Sequence, residues 1–346
     1  MTLDELFLIA HKRKASDLHI IVGMPPYLRI DGNLQPMKNY PKILKKTAET
    51  LILKILSEKQ KSAFMTDKEL DLSYEIPGSC RFRVNLHFEK DNMGLAARVI
   101  PGEIPTMQDI NMQDKVYELI KLDQGLILVT GPTGCGKSTT LAAMINQINT
   151  DRSCNIVTLE DPIEFIFSPI KSIIKQRQLH TDMINFNSAL VHVLRQDPNV
   201  IMVGEMRDKE TIAATITLAE TGHLVLATLH THNAAQTMDR IIDIFPPYQQ
   251  QQIRLQLSMT LQGVVSQRLI PKIKGGRIAA REILINTPAV ANLIRENKIA
   301  QLKSVIQTSA DEGMQIMEQD LKRLVKEGLI TKEMAEYYAS GQQEIE

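Results

Sequence analysis

The sequence predicts an α/β chain: a P-loop core built on a mostly parallel sheet, preceded by a smaller α+β domain. Three observations carry that expectation. Short apolar runs at Leu126–Thr130, Ile156–Leu159, Val200–Val203 and Leu224–Thr228 alternate with helical segments. Each is bounded by Gly, Pro, Asp or Asn, the pattern of buried parallel strands joined by crossover helices. The first run leads directly into a glycine-rich phosphate-loop pattern. Finally, Ile100-Pro-Gly-Glu-Ile-Pro105 packs two prolines and a glycine into six residues, which disfavours a continuing helix or central strand and marks a boundary. The expected organisation is an N-terminal domain at 1–100, a linker at 101–114 and a P-loop domain at 115–346 that ends in a helical region at about 287–338.

Before the boundary, Leu3–Arg13 and Thr47–Phe64 have the spacing of amphipathic helices. Asp17–Ile21, Tyr27–Ile30, Leu70–Tyr74, Arg81–Phe88 and Gly94–Val99 read as strands. Arg81–Phe88 alternates polar and apolar residues strictly, so its arginines share one face and its apolar residues the other. Beyond Thr287 the periodicity is helical, interrupted by turn signals at Gly313 and Gly328.

Composition narrows the function classes. Lys plus Arg equals Asp plus Glu at 40 each, so there is no basic surplus to neutralise a nucleic-acid backbone, and no nucleic-acid partner is expected. No stretch reaches the roughly 18–20 apolar residues of a membrane span. Charges interrupt the apolar N-terminal run, which excludes a signal peptide. Cys80, Cys135 and Cys154 are too scattered for a disulfide framework or zinc ribbon. These features together point to a reducing cytoplasm, with no direct membrane insertion.

The chemistry concentrates at Gly131-Pro132-Thr133-Gly134-Cys135-Gly136-Lys137-Ser138-Thr139, which contains G-x-x-x-x-G-K-[ST] between a strand and a helix. Glycines at 131, 134 and 136 permit backbone conformations that turn successive N–H groups toward one anion. The following helix adds its dipole. Lys137 is expected to reach the β- and γ-phosphates of ATP, and Ser138 to ligate Mg2+. Val200-Ile-Met-Val-Gly-Glu205 is an apolar strand that delivers a carboxylate, the arrangement that places an acid beside Mg2+ and the attacking water. Glu160, Asp161 and Glu164 crowd three acids into five residues, which demands a compensating cation or a polarised water. His223 and His230 flank the last apolar run, and His230 falls at the strand end where the other site residues gather.

Taken together, GPTGCGKSTT (131–140), TLEDPIEF (158–165), LRQDPNVIMVGEMRD (194–208) and TGHLVLATLHTHNA (221–234) resemble the Walker A, Asp box, Walker B and His box of the secretion ATPases of type IV pilus and type II secretion systems. SDLHI (16–20) and RFRVN (81–85) extend the resemblance over nearly the whole chain. It implies a RecA-like ATPase domain, an N-terminal PAS-like domain and assembly as a homohexamer. Within the family the retraction branch is favoured. The four-cysteine zinc element usual in extension and secretion members has no counterpart after Cys154, and Ala289–Glu296 is similar to a retraction signature. The resemblance further implies that Glu164 is the general base, Glu205 a second catalytic carboxylate that shares the metal with Ser138, and His230 a γ-phosphate contact, with His223 in the same box. It assigns Arg81, Arg83 and Arg98 to nucleotide contacts within or between subunits. Its expected partners are the inner-membrane pilus platform protein and a second retraction ATPase, placing the ring peripherally at that membrane. An extension or secretion ATPase, a weakly hydrolysing accessory ring subunit and a DNA translocase remain the alternative readings.

Overall fold

A computed structural model describes residues 1–30, 32–100 and 102–339. The chain divides into two compact units. Met1–Glu103 and Pro162–Ile166 form the first, and Ile104–Asp161 with the residues from Phe167 onward form the second.

The first unit is an antiparallel six-stranded sheet with helices. Its elements are α1 (Leu3–Lys12), β1 (Asp17–Ile20), β2 (Tyr27–Ile30), β3 (Asn33–Pro36), α2 (Lys45–Lys54), α3 (Glu58–Asp67), β4 (Glu69–Ile76), β5 (Cys80–Glu89) and β6 (Asn92–Ile100), with strand order β3-β2-β1-β6-β5-β4. Strict alternation in β5 buries Phe82, Val84 and Leu86 and leaves Arg83 exposed. Phe7 of α1 stacks on Phe82 at 4.3 Å between ring centroids, fixing the helix on the sheet. The single helix expected over Thr47–Phe64 is two helices. Ser57 and Gln60 form a capping box that starts α3, satisfying N–H groups that a continuous helix would have paired internally. The expected strands also omitted β3, an edge strand whose residues are largely exposed, so it carries no alternating apolar pattern.

The second unit is the RecA-like P-loop core. It contains α4 (Asp114–Leu119), β7 (Gly125–Thr130), α5 (Lys137–Asp151), β8 (Asn155–Glu160), β9 (Ile173–Gln178), α6 (Phe186–Val193), β10 (Val200–Val203), α7 (Lys209–Glu220), β11 (Leu224–Leu229), α8 (Ala234–Asp243), α9 (Pro247–Thr260), β12 (Leu261–Pro271) and β13 (Arg277–Ile285). The helical tail follows as α10 (Pro288–Arg295), α11 (Leu302–Thr308), α12 (Met317–Lys326) and α13 (Lys332–Ala339). Strand order is β13-β12-β7-β11-β10-β8-β9, parallel throughout except for the antiparallel β12–β13 pair. β7 and β11 are buried at every position, as strands covered on both faces must be. The sequence did not expose β9, β12 or β13 as strands. β9 is a half-exposed edge strand, and β12 begins on the residue that caps α9, with no turn signal between them. In the tail, Gly313 and Gly328 take positive φ at helix ends. The first helix beyond Thr287 stops at Arg295: Thr287 caps its start, Val290 and Ile294 are buried, and Asn297 is exposed with φ +59°. No helix among the described residues is long and apolar enough to cross a membrane.

A buried ionic clamp ties three parts of this unit together. Asp320 on α12 is fully buried and accepts from the Arg281 backbone N–H at 2.8 Å, from Arg323 Nε at 2.7 Å and from Gln113 Nε2 at 3.4 Å. The Arg281 guanidinium, itself 1% exposed, donates to the carbonyls of Asn111 at 3.0 Å and Ile110 at 2.9 Å. Asp320→Ala would strand the Arg281 backbone N–H, Arg323 Nε and Gln113 Nε2. We expect its unfolding free energy in urea to fall by about 3–5 kcal/mol, the range for removing one member of a buried pair. A loss below about 1 kcal/mol, the worth of a surface pair, would contradict the clamp.

Candidate active site

The site is built at the end of β7. Gly131, Gly134 and Gly136 have φ of +145°, +77° and +89°, conformations closed to most L-residues. A Cβ on Gly131 would strike the Gln267 carbonyl and lie 2.5 Å from Cys135 Sγ, so β12 closes on the loop as tightly as glycine permits. Gly136 is the N-cap of α5, and neither a side-chain cap nor an acid occupies the helix's first turn. The leading N–H groups and the positive end of the dipole are therefore left for an anionic ligand. Lys137 Nζ donates to the carbonyls of Gly131 at 2.8 Å and Pro132 at 2.9 Å, folding the cation onto the loop. Ser138 and Thr139 are half-buried in the first turn of α5. Cys135 is buried, and burial pushes its thiol above the usual range, so it is a packing group rather than a reactive thiolate.

Beside the loop lies a polar chain. Thr133 Oγ1 is 3.4 Å from His230 Nδ1, His230 Nε2 is 3.1 Å from Glu205 Oε1, and Glu205 Oε2 pairs with Arg207 Nη2 at 2.9 Å. Arg207 also approaches Asp161 at 3.9 Å. Burial pushes the Glu205 carboxyl upward, but the Arg207 hydrogen bond and the His230 and Arg207 charges outweigh it and hold the group below the usual carboxylate range. Gly204 brings the end of β10 against β8: a Cβ there would sit 3.1 Å from the Leu159 carbonyl, and Thr228 of β11 donates to the Gly204 carbonyl. Glu160 is buried and accepts from Thr158 at 2.6 Å and Gln176 at 3.1 Å.

The structure thus brings Thr133, Glu205 and His230 together with the loop, but not His223. That residue precedes β11 at the opposite end of the strand, about 20 Å of extended chain from His230. Its Nδ1 lies 3.1 Å from the Leu218 carbonyl and 3.2 Å from Thr221 Oγ1. The two histidines flank β11, and only His230 lies at the loop end. Glu164 is half-buried after β8, in the segment grouped with the first unit. Arg83 and Arg98 are register partners on the polar face of the first unit's sheet, where Asp17 pairs with Arg98 at 3.0 Å, and Arg81 lies further along β5. Arg207, Thr228 and Gln267 carried no expectation. An arginine two residues after the strand-end acid was a readable signal for the first, whereas Gln267 lies too far along the chain for any motif to flag it.

Because Glu205 is held low, the stability it contributes is present above the ordinary carboxylate range and lost as pH falls through the lowered value. Arg207→Ala removes the strongest lowering influence. The variant should be less stable than the unmutated chain at neutral pH, by no more than about 1 kcal/mol because Arg207 is largely solvent-exposed and screened. The difference should close as the carboxyl protonates; urea unfolding from neutral to acid pH with a constant gap would contradict the pairing.

The family model for Type II/IV secretion system proteins matches residues 2–275. The chain is 47% identical to the type IV pilus retractation ATPase PilT of Pseudomonas aeruginosa, with 97% of each chain covered. It is 45% identical to the twitching motility protein of Neisseria gonorrhoeae, over 90% of this chain and 83% of that one. Its fold superposes on a crystal structure of the pilus retraction motor PilT with bound ADP at a TM-score of 0.91 and 46% identity, covering 97% and 96% of the two chains. A phosphate loop, a strand-end carboxylate and a bridging histidine, on a fold shared over nearly the full length, place this chain in the Type II/IV secretion system protein family.

Proposed function

We propose that this protein is the motor ATPase of type IV pilus retraction. It works as a homohexameric ring held at the inner membrane by the pilus platform protein, alongside a second retraction ATPase. The observation that supports this best is the chain Thr133–His230–Glu205–Arg207, which links the phosphate loop to the strand-end acid on a fold that matches a retraction motor over 97% of this chain.

The loop residues fit a nucleotide, since positive-φ glycines and an uncapped helix start need an anion to complete them. The loop from Gly131 to Thr139 holds the phosphates, with Lys137 turning from the Gly131 and Pro132 carbonyls to the β- and γ-oxygens. Ser138 and Glu205 would hold Mg2+, which would neutralise charge on the phosphates. Glu164 orients and deprotonates the attacking water. Glu205 fixes His230, which reads the γ-phosphate. Arg81, Arg83 and Arg98 contribute positive charge to a nucleotide, in their own subunit or in a neighbour's.

Lys137→Ala should abolish phosphate release with little change in melting. Glu164→Gln and Glu205→Gln should keep nucleotide affinity and lower kcat by roughly 10² or more, the scale of general-base losses. A cell lacking the protein should remain piliated but fail to twitch. Bald cells would make it an extension motor, and turnover near the unmutated level in Lys137→Ala would remove the site.

A further inference from the structure

One buried side chain, remote in sequence from every motif above, grips the phosphate loop on both sides of its lysine. Gln267 on β12 is 1% exposed. Its Nε2 donates to the Cys135 carbonyl at 2.8 Å, and its Oε1 accepts from Thr140 Oγ1 at 2.9 Å. It therefore holds the loop just before Lys137 and the first turn of α5 just after it. Its backbone carbonyl is the atom that closes on Gly131, and its amide lies 3.4 Å from where a Gly136 Cβ would sit. A glutamine is well suited to this position, because one planar amide offers a donor and an acceptor with no charge to compete for phosphate.

Gln267 also has a buried neighbour on the adjacent strand. Its register neighbour across the antiparallel pair is Arg281, so the two buried side chains leave the sheet on the same face. Arg281 is the residue that holds the Ile110 and Asn111 carbonyls. Burial pulls its guanidinium down to about 10, which still leaves it charged at neutral pH. The segment it grips runs directly into α4, and Gln113 beside it reaches Asp320. Static hydrogen bonds thus run from the Cys135 carbonyl to Gln267 on β12, and from its register neighbour Arg281 to the carbonyls of residues 110–111.

We propose that Gln267 is a positioning residue for the phosphate loop and that, with Arg281, it forms a brace transmitting the loop's nucleotide-dependent position to the Ile110–Asn111 segment. This rests on nucleotide binding at the loop, as the proposed function does, but it assigns a residue and a route that hydrolysis alone does not require.

The test uses the full chain and ADP as the probe. In the unmutated protein, saturating ADP should change hydrogen exchange in peptides covering residues 106–113 as well as in the loop. Gln267→Met conserves volume and removes both hydrogen bonds. It should raise KM for ATP by about tenfold, the scale of losing loop hydrogen bonds, while kcat falls less. At saturating ADP it should protect the loop but leave 106–113 unresponsive. Gln267→Glu keeps the acceptor for Thr140, loses the donor to Cys135 and adds a charge, so it should bind ATP more weakly than Gln267→Met. An unchanged KM in a folded Gln267→Met protein overturns the proposal. So does unmutated protein in which ADP protects the loop and leaves 106–113 untouched, a measurement that needs no variant to fold. If ADP fails to protect the loop of the unmutated protein at all, the nucleotide-binding premise falls, and the brace falls with it.

Discussion

The backbone turn between β7 and α5 is the constraint on which the second unit depends. Three glycines in left-handed or extended positive-φ conformations turn the chain out of a fully buried strand and directly into a helix, with no side-chain cap between them. Such a turn leaves N–H groups directed at one point and is unstable unless something holds it from outside. The holding groups come from remote sequence: the Gln267 side chain, the Gln267 carbonyl against Gly131, and the hydrogen bond at 2.8 Å from Thr130 to Ser266. β12 is therefore part of the phosphate site as well as part of the sheet. The pairing of β7 with β12 on one side and β11 on the other places His230 and the loop at the same edge.

A second constraint is electrostatic. Glu205 loses hydration where β10 ends, and it is kept ionised by Arg207 on one oxygen and His230 on the other. His230 in turn meets Thr133 of the loop. A carboxylate held in this way is geometrically fixed, and any group that draws His230 toward a phosphate must also alter the environment of Glu205. In the motor proposed above, that coupling allows one histidine to link the phosphate's presence to the acid.

Local chemistry was legible in the sequence and long-range support was not. The phosphate loop, its flanking strand and helix, and the Glu205 strand each declare themselves within a dozen residues, because the backbone conformations they need select for glycine and apolar runs. The alternation of β5 was readable for the same reason. The division of Thr47–Phe64 by Ser57 turned on a cap rather than on periodicity, and a capping box inside a polar run is easily passed over. β12 escaped because α9 passes into it without a turn, and Gln267 with it, although Cys135 and Gln267 are 132 positions apart and in direct contact. His223 and His230 flank one strand, as the apolar run between them indicated, and only His230 lies at its loop end.

In the motor proposed above, the shape of the loop, set by glycine and closed by β12, creates the nucleotide site. Calorimetric titration of ADP into Gly131→Ala tests it most directly, since the added methyl meets the Gln267 carbonyl and the backbone there has φ +145°. The variant should fold, with ADP affinity lower by about a hundredfold or more, the effect of roughly 3 kcal/mol of strain or lost loop geometry. Affinity within about twofold of the unmutated chain, a difference under about 0.5 kcal/mol, would contradict it.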